Sequence, residues 1–593
     1  MSAIQQLLTE HLDIWTAADT GPKSGRGRSS ANAAKVYGIS KLRELILELA
    51  VRGKLVSQDA GDEPASELLN RIQAEKAKLI AGGKIKKDKP LTPMTDEEKP
   101  FELPVGWEWM RLGFIGYTQT GTTPSKSSAE SFGSDIPFIK PGDIYPNHID
   151  YCNEGLSFLG AEQSGRVALA GSLLMVCIGT IGKCNLIERD CSFNQQINSV
   201  TPYIFDSCYL LSACRSPYFT AEAWGRSSST TIAILNKGKW EEICIPVPPL
   251  AEQHRIVAKV DELMALCDQL ESEHNNGTEA HEKLVSHLLG TLTQSQSNED
   301  FSANWQRIAA HFDTLFTTEA SINALKQTLL QLAVMGKIVP QDPSDEPASE
   351  LLKRIQAEKT KLIAEGKIKK EKPLPPITDA ERPFDLPSGW QWKRLDELTI
   401  LITKGSSPKW QGVSYTENPD DVMFVTSENV GSYALILDAP KYVEKKFNEI
   451  EPRSILRKGD FLMNIVGASI GRTAIYDRDD LANINQAVCL IRVLASNMQS
   501  MFLLSFFNSE TCLEYMFDKQ VDNARPNLSM GNISKFLIPV PPLAEQHRIV
   551  AKVDELMALC DQLKSRLTEA GQLQQKLADV LVVSAVSVNG EKH

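Results

Sequence analysis

Residues that could carry out catalysis are present in this chain, but not at the spacing that catalysis needs. The nearest approach to a phosphate-binding loop, Gly179 to Cys184, is too short between its glycines and lacks the Ser or Thr hydroxyl. No dinucleotide-binding Gly-x-Gly-x-x-Gly follows a strand pattern, and no Asn- or Asp-Pro-Pro-aromatic tetrad of an amino-methyltransferase occurs. The nine histidines form no His-x-x-x-His pair, and the eleven cysteines form no Cys-x-x-Cys pair. The sequence therefore predicts no catalytic, cofactor or metal site.

Several polar segments could instead contact DNA. Two of them, Arg226–Trp240 and Lys519–Lys535, are rich in hydroxyl, amide and cationic side chains. Arg and Lys bind phosphates, Arg also pairs with guanine, and Asn pairs with adenine. An ordinary polar surface loop would have the same composition, so both interpretations stay open on these residues alone. The candidate DNA-binding residues from these and related segments are Lys126, Lys140, Lys183, Ser228, Thr230, Asn236, Lys237, Lys239, Lys404, Lys409, Arg472, Asn523, Arg525, Asn527, Ser529 and Lys535.

The composition is that of an ordinary globular protein. A chain of 593 residues can form three to five compact units, and 42% hydrophobic and 23% charged residues are typical values. The N-terminus lacks the pattern of a signal peptide and no apolar run reaches the length of a membrane span, so we expect a cytoplasmic protein. The net charge of −12 weighs against tight DNA binding by this chain alone, because DNA-binding proteins usually carry excess Lys and Arg.

An internal repeat organises the chain. The stretch Asp62–Leu112 returns at Asp345–Leu395 with about 39 of its 51 positions identical, and Ile245–Leu270 returns unchanged at Ile538–Leu563. Between these blocks lie two inserts that share only a few landmarks in the same order. The landmarks are TGTTPSK and TKGSSPKW, IPFIK and VMFVT, AGSLLMVCIGTIGK and KGDFLMNIVGASIGR, and FNQQI and INQAV. A constant frame with diverged inserts predicts two related but different binding surfaces.

The frame and the inserts differ in predicted secondary structure. In the frame, Ile256, Val260, Leu263 and Cys267 step by four and three, which is the seam pattern of a coiled coil, and prolines precede this helix in both copies. The inserts contain short apolar and β-branched runs bounded by Gly, Asn, Asp and Ser, which are typical of strands. We expect a mixed α/β fold whose inserts have a curved, mainly antiparallel sheet. We also expect the helices of the two halves to pair with each other, although they could pack on their own inserts instead.

The borders of the inserts resemble a known family. Each insert begins with LPVGWEWMRL or LPSGWQWKRL and ends with IPVPPLAEQHRIVAKVDEL. These segments, with the internal G…IG(K/R) and NQ landmarks, look like the borders of target-recognition domains in specificity subunits of type I restriction-modification enzymes. The resemblance implies two strand-rich target-recognition domains joined by long antiparallel coiled-coil helices, with a pseudo-twofold internal repeat. The expected divisions are an N-terminal extension with a flexible linker (1–38), a first helical region (39–100), target-recognition domain 1 (101–248), a central helical region (249–383), target-recognition domain 2 (384–541) and a C-terminal coiled-coil helix (542–593).

The resemblance also implies a function and partners. Each target-recognition domain would read one half-site of a bipartite sequence in double-stranded DNA, with a fixed spacer between the half-sites. The chain itself would be non-catalytic and bind no cofactor. Its implied partners are two adenine-methylating modification subunits, which use S-adenosylmethionine, and restriction subunits that use ATP and Mg²⁺ to translocate and cut DNA. No membrane is implied.

Two other functions remain compatible with the residues. One is a self-contained DNA-modifying enzyme whose motifs are cryptic, and the other is a coiled-coil scaffold whose inserts bind peptides. The enzyme would transfer methyl groups or cut DNA by itself. The scaffold would have long apolar grooves in place of amide-rich and hydroxyl-rich loops.

Overall fold

The computed structural model describes residues 11–17, 36–86, 91–125, 128–228, 232–369, 374–494, 498–518 and 528–587. The chain forms two compact units. Unit 1 comprises Met1–Gly277 together with Ala570–His593, and unit 2 comprises Thr278–Glu569. Each unit therefore contains one insert. Each also contains the last part of the long helix that follows the other unit's insert in the sequence.

Unit 1 combines scaffold helices with a strand-rich insert. Its helices are α1 (Leu12–Ala17), α2 (Tyr37–Val51), α3 (Ala65–Ala81), α4 (Leu112–Ile115), α5 (Phe158–Ser164), α6 (Ser207–Arg215), α7 (Pro217–Arg226), α8 (Lys237–Glu241) and the first part of α9 (Leu250–Thr293). Its strands are β1 (Glu108–Arg111), β2 (Gly116–Thr120), β3 (Phe132–Ile139), β4 (Gly155–Leu156), β5 (Val167–Ala168), β6 (Leu173–Val176), β7 (Cys184–Leu186), β8 (Cys191–Phe193), β9 (Ile197–Pro202) and β10 (Cys244–Val247).

The insert of unit 1 contains two four-stranded sheets. One has the order β2-β9-β6-β7 and is antiparallel throughout. The other has the order β4-β3-β8-β5, in which β3 and β8 run parallel. Strands β1 and β10 pair separately, with Glu108 opposite Val247, and so join the two ends of the insert. The side chains of β6 are buried throughout, as an apolar run of this length between glycines predicts.

Unit 2 repeats this plan. Its helices are the end of α9, then α10 (Asn298–Ala310), α11 (Phe312–Leu315), α12 (Glu319–Val334), α13 (Ala348–Ala364), α14 (Leu395–Leu398), α15 (Lys446–Ile450), α16 (Ser500–Phe507), α17 (Glu510–Asp518), α18 (Met530–Ile533) and the first part of α19 (Leu543–Ser587). Its strands are β11 (Gln391–Arg394), β12 (Thr399–Lys404), β13 (Tyr415–Thr416), β14 (Val422–Val425), β15 (Tyr442–Val443), β16 (Asp460–Asn464), β17 (Thr473–Tyr476), β18 (Ala482–Ile484), β19 (Val488–Val493) and β20 (Leu537–Val540).

The sheets of unit 2 correspond to those of unit 1. The antiparallel sheet has the order β12-β19-β16-β17, and the mixed sheet has the order β13-β15-β14-β18 with β14 and β18 parallel. The prediction of a mixed α/β fold with a repeated insert is confirmed. The prediction of a single curved sheet was wrong, because the parallel pair in each insert belongs to a second sheet. The helices that follow the antiparallel sheets, α6–α7 and α16–α17, were not predicted.

The scaffold helices have the predicted apolar seam. Ile256, Val260, Leu263 and Cys267 of α9 are buried in one hydrophobic cluster with Ile39 and other residues of α2. Ala578, from the last part of α19, is buried in the same cluster. The Tyr37 hydroxyl donates a hydrogen bond to Asp579 Oδ1 at 2.7 Å. The core of unit 1 thus includes a segment from the far end of the sequence, as long-range pairing of the helices predicts.

Unit 2 is completed in the same way. Val285, Leu289 and Leu292, near the end of α9, share a buried cluster with Leu325 of α12 and Cys560 of α19. Helices α9 and α19 contain 44 and 45 residues, so each rises by about 66–68 Å. Both helices extend well beyond the identical block, which ends at Leu270 and Leu563.

The N-terminal helix α1 belongs to the core of unit 1. Trp15 is completely buried in the main cluster of this unit. The segment His11–Trp15, with the sequence HLDIW, matches HFDTL at His311–Leu315, where α11 contributes the buried Leu315 to unit 2. This short echo extends the repeat into residues 1–38, the segment predicted to be a separate N-terminal extension.

None of the helices that the structure describes is both long enough and apolar enough to cross a membrane. All cysteines are free thiols, and they are buried except for Cys152 and Cys208.

Candidate nucleic-acid interface

The repeated blocks hold each insert on its scaffold helix through a buried carboxylate. The Trp107 indole N–H donates to Glu252 Oε2 at 2.9 Å, and Gln58 Nε2 donates to Glu252 Oε1 at 3.1 Å. Glu252 is only 1% exposed, and this burial raises the pKa of its carboxyl group, which the two hydrogen bonds only partly offset. The arrangement ties the start of the insert to the start of α9.

Unit 2 has the same arrangement. Trp390 donates to Glu545 Oε2 at 2.9 Å and Gln341 donates to Glu545 Oε1 at 3.2 Å. Burial raises the pKa of Glu545 as well. The tryptophan of the GW landmark and the glutamate of the LAEQH landmark are therefore partners in a structural contact, which explains why both belong to the constant frame.

An ion pair provides a second contact between the long helix and the repeated block in each unit. Arg255 of α9 donates to Asp62 from its two terminal guanidinium nitrogens, Nη1 and Nη2, at 3.2 and 2.5 Å. Arg548 of α19 binds Asp345 at 3.2 and 2.6 Å. Two parallel hydrogen bonds to one carboxylate fix orientation as well as distance. The constant frame thus presents both inserts in the same local geometry.

The landmarks of the first insert converge on one group of loops. Gly121 lies so close to the backbone carbonyl of Asn194 that a side chain at this position would collide with it. The Cys177 N–H donates to the Gln196 carbonyl at 2.8 Å, and the Leu235 N–H donates to the Cys177 carbonyl at 2.8 Å. We call this group loop cluster 1, and its described residues are 121–125, 177–183, 194–196 and 232–236.

Unit 2 builds a corresponding group from different side chains. Gly405 lies against the Ile484 carbonyl in the same close approach. The Ile465 N–H donates to the Ala487 carbonyl at 3.0 Å, and the Leu528 N–H donates to the Ile465 carbonyl at 2.9 Å. We call this group loop cluster 2, and its described residues are 404–411, 465–472, 485–487 and 528–535. The backbone contacts of the two clusters match, whereas most of their side chains do not.

A glycine-turned hairpin in each cluster carries a cationic side chain. Gly182 and Gly471 have φ angles of 92° and 91°, in the region that favours glycine. The next residue is Lys183 in unit 1 and Arg472 in unit 2. Lys183 Nζ donates to the Pro141 carbonyl at 2.7 Å, whereas the exposed Arg472 guanidinium has no hydrogen bond or ion pair with the part of the chain that is described. The sequence predicted the equivalence of this pair but not the difference.

The other cationic candidates of unit 1 that lie in the described ranges are also engaged within the unit. Lys140 forms an ion pair with Glu154. Lys237 forms one with Glu241 at 3.0 Å, and Lys239 Nζ donates to the Arg226 carbonyl at 3.0 Å. These lysines lie at the surface, but their charges are already partly balanced by nearby oxygens.

Three polar candidates have structural roles. Asn236 Oδ1 accepts the Lys239 N–H at 2.9 Å and so caps α8. Ser529 caps α18 at the matching position, accepting the Asn532 N–H at 3.1 Å. The Ser228 hydroxyl donates to the Ile234 carbonyl at 3.3 Å. Their contacts shape the loops, and each residue remains exposed enough to touch a ligand as well.

The described cationic candidates of unit 2 are exposed. Like Arg472, the side chains of Lys404, Lys409 and Lys535 have no ion pair or hydrogen bond with any described residue. The remaining candidates, Lys126, Thr230, Asn523, Arg525 and Asn527, lie outside the described residues. Within the described ranges, no group of three or more His, Cys, Asp and Glu residues could hold a metal ion.

One exposed aromatic residue of loop cluster 2 was missed. Trp410 directly follows Lys409, and its side chain is 74% exposed. The letters PKW within the TKGSSPKW landmark were the available signal, because a tryptophan beside a lysine in a polar loop is unusual for a buried position.

The fold and the loop clusters define a class of protein with two binding domains of one fold on a shared helical scaffold. The family model described as "Type I restriction modification DNA specificity domain" matches residues 104–280 and 387–570, one match for each insert and its following helix. The chain belongs to the family of type I restriction-modification specificity subunits.

Similar proteins include two from Escherichia coli. The type I restriction enzyme EcoAI specificity subunit is 39% identical over 99% of this chain and 100% of its own length. The EcoEI specificity subunit is 38% identical over the same shares of the two chains. A crystal structure of the HsdS subunit from Thermoanaerobacter tengcongensis is 20% identical, covers 82% of this chain and 98% of its own, and superposes with a TM-score of 0.35.

Proposed function

We propose that this chain is the non-catalytic specificity subunit of a type I restriction-modification system and reads a bipartite target in double-stranded DNA. Loop cluster 1 reads one half-site and loop cluster 2 reads the other. The observation that carries this proposal is the construction of the same loop group twice, with matched backbone contacts and different side chains, on an unchanged frame. A constant frame with variable loops suits a protein that changes its target without changing its partners.

The two half-sites are separated by a fixed number of base pairs. Helices α9 and α19 are each continuous, and each contributes buried side chains to the cores of both units. A change in the length of either helix would therefore have to move a packed core. This continuity supports a constant spacer in the recognised sequence.

The partner subunits supply the catalytic activities and much of the affinity for DNA. Two modification subunits transfer methyl groups from S-adenosylmethionine to adenine, and restriction subunits use ATP and Mg²⁺ to translocate and cut DNA in the cytoplasm. The net charge of −12 weighs against tight binding of the DNA phosphates by this chain alone. We infer that the modification subunits close on the duplex and provide the positive surface that this chain lacks.

Mapping methylated adenines tests this proposal. The full chain is co-expressed with type I modification subunits in a host without other adenine methylation, and the genome is then sequenced for methylated bases. The expected result is a single split motif with a constant gap. Methylation by the chain without partners would favour a self-contained enzyme. Scattered or absent methylation with partners, together with no sequence-selective retention on duplex DNA, would favour a peptide-binding scaffold.

A further inference from the structure

Loop cluster 2 exposes a tryptophan that no packing within unit 2 explains. The indole of Trp410 is 74% exposed, whereas in the same unit Trp390 is buried and Trp392 is partly buried. Leaving an indole in water forgoes the stabilisation that burial of its large apolar surface would provide. A ligand that covers this surface would recover that stabilisation.

The turn that carries Trp410 is firmly braced. It is a 3₁₀ turn, Pro408–Gln411, whose proline is buried. The Val413 N–H donates to the Pro408 carbonyl at 3.0 Å. Gln411 Nε2 donates to Ser406 Oγ and to Glu451 Oε1, both at 2.9 Å. The backbone that carries the exposed indole is therefore held in a defined position, which lowers the entropic cost of using it in binding.

The charges beside the indole favour a polyanionic partner. Lys409 precedes it, Lys404 lies at the start of the same loop, and neither lysine has an ionic partner among the described residues. The chain reaches Trp410 from Gly405, which is packed against the NQ landmark of loop cluster 2. An exposed aromatic ring in the same loop as uncompensated cations matches the combination that nucleic-acid-binding surfaces use for stacking and phosphate contact.

The tryptophan is specific to unit 2. When Gly121 is aligned with Gly405, which occupies the same close-packed position, the residues corresponding to Lys409 and Trp410 are Ser125 and Lys126. The contact that Trp410 provides therefore belongs to one half-site only.

We propose that Trp410 is a base-contacting residue: its indole wedges against the stacked bases of the half-site read by unit 2. This inference rests on the proposed DNA-reading function and adds to it a specific apolar contact. Because the indole is uncharged, its contribution to affinity does not depend on counterion release, in contrast to that of Lys409. The two neighbouring side chains should thus be separable by their salt dependence.

The test compares W410A, W410F and K409A with the wild type. Each full chain is purified with the modification subunits, and its affinity for a duplex carrying the mapped split motif is measured at several salt concentrations. W410A should weaken binding about ten- to hundredfold with an unchanged salt slope. W410F should retain most of the affinity because it keeps an aromatic face. K409A should lower the slope of log K against log salt by about one.

A matched control is W305A. Trp305 is 37% exposed on the scaffold helix α10, which contributes no residue to either loop cluster, and its removal should leave DNA affinity unchanged. Thermal unfolding of all variants checks folding, and W410A should match the wild type because its side chain packs on little. Wild-type affinity in W410A, or a loss that appears together with a lower salt slope, would refute the role of Trp410. If the wild-type complex shows no preference for the motif, the DNA-reading function fails and this inference fails with it.

Discussion

Units 1 and 2 differ in their inserts and agree in the contacts that hold those inserts. The Trp–Glu–Gln contact has distances of 2.9 and 3.1 Å in unit 1, and 2.9 and 3.2 Å in unit 2. The Arg–Asp pair also repeats, at 3.2 and 2.5 Å against 3.2 and 2.6 Å. The repeated sequence therefore preserves the contacts that attach each insert to its scaffold helix, while the residues within the insert differ between the two units.

Equivalent positions within the two inserts can differ even in charge. In unit 1 the hydroxyls of Ser172 and Thr201 share a hydrogen bond of 2.7 Å. The strand registers place Asp460 and Arg492 of unit 2 at the same points, where they form a buried pair with two contacts of 2.6 Å. A neutral pair in one copy thus replaces an ionic pair in the other without any change in sheet order.

The largest expected difference between the units comes from breaking these two pairs. D460A leaves the guanidinium of Arg492, which is 13% exposed, without its carboxylate, and should destabilise unit 2 by about 3–5 kcal/mol. S172A removes only a neutral hydrogen bond and should destabilise unit 1 by about 1 kcal/mol. Hydrogen exchange of the amides in β16 and β19, compared with those in β6 and β9, measures each local free energy of unfolding.

The double variant D460S/R492T is the matched control. It transfers the neutral pair of unit 1 into unit 2 and should recover most of the stability that D460A loses. Equal losses in D460A and S172A would contradict the expected difference between the ionic pair and the neutral pair.

The hairpin glycines should also distinguish the units. At Gly182 a new Cβ would meet nothing closer than 3.8 Å, so G182A should cost about 1–2 kcal/mol from backbone conformation alone. At Gly471 the Cβ would lie 2.5 Å from Leu513 Cδ2, which should add about 1–3 kcal/mol from overpacking. Thermal unfolding of the two variants gives the order, and a larger loss for G182A would overturn it.

Much of the frame could be predicted from the sequence, because its signals are local or repeated. The identical blocks revealed the duplication, the steps of four and three revealed the seam of α9, and glycines marked both hairpins. The second sheet was missed because its parallel pairing joins Phe138 to Ser192, which lie far apart in the chain. No local pattern encodes such a pairing.

The sequence predicted which segments form the candidate interface. It did not predict which of their lysines and arginines already have partners within the protein. The pairing of Lys237 with Glu241 follows from their spacing of four on a helix and could have been anticipated. The contact of Lys183 with the Pro141 carbonyl depends on the tertiary fold, and the sequence treated Lys183 and Arg472 as alike. Which cations are already engaged is settled only once the loops are placed.

The difference in engaged charges predicts different salt behaviour. In the complex with modification subunits, R472A should lower the slope of log K against log salt by about one, because its guanidinium has no competing partner in the described chain. K237A should change the slope less, because Lys237 lies 3.0 Å from the Glu241 carboxylate. Binding of the mapped duplex across salt concentrations measures both slopes. A larger change for K237A would contradict the conclusion that Arg472 is available for phosphate contact and Lys237 is already paired.

The smallest expected effect concerns the buried glutamates. Burial raises the pKa of Glu252 and Glu545 above that of the unfolded chain, so the folded state holds these protons more tightly. The stabilisation from this difference is present at low pH and is lost as pH rises through the raised pKa. The thermal midpoint of the wild type should therefore fall relative to E252Q as pH rises from the ordinary glutamate range through the raised pKa, and E545Q should behave alike. If the thermal midpoint of the wild type instead rises relative to the variants with pH, the hydrogen bonds affect the pKa of these glutamates more than burial does.

The central claim is that the frame is constant and the inserts carry the target. The most direct measurement replaces residues 384–541 with a second copy of residues 101–248 and maps adenine methylation in the presence of modification subunits. Because both inserts are fastened by the same contacts, the duplicated chain should fold and direct methylation to a motif made of the first half-site twice. Retention of the original two-part motif would contradict the account, because specificity would then reside in the frame.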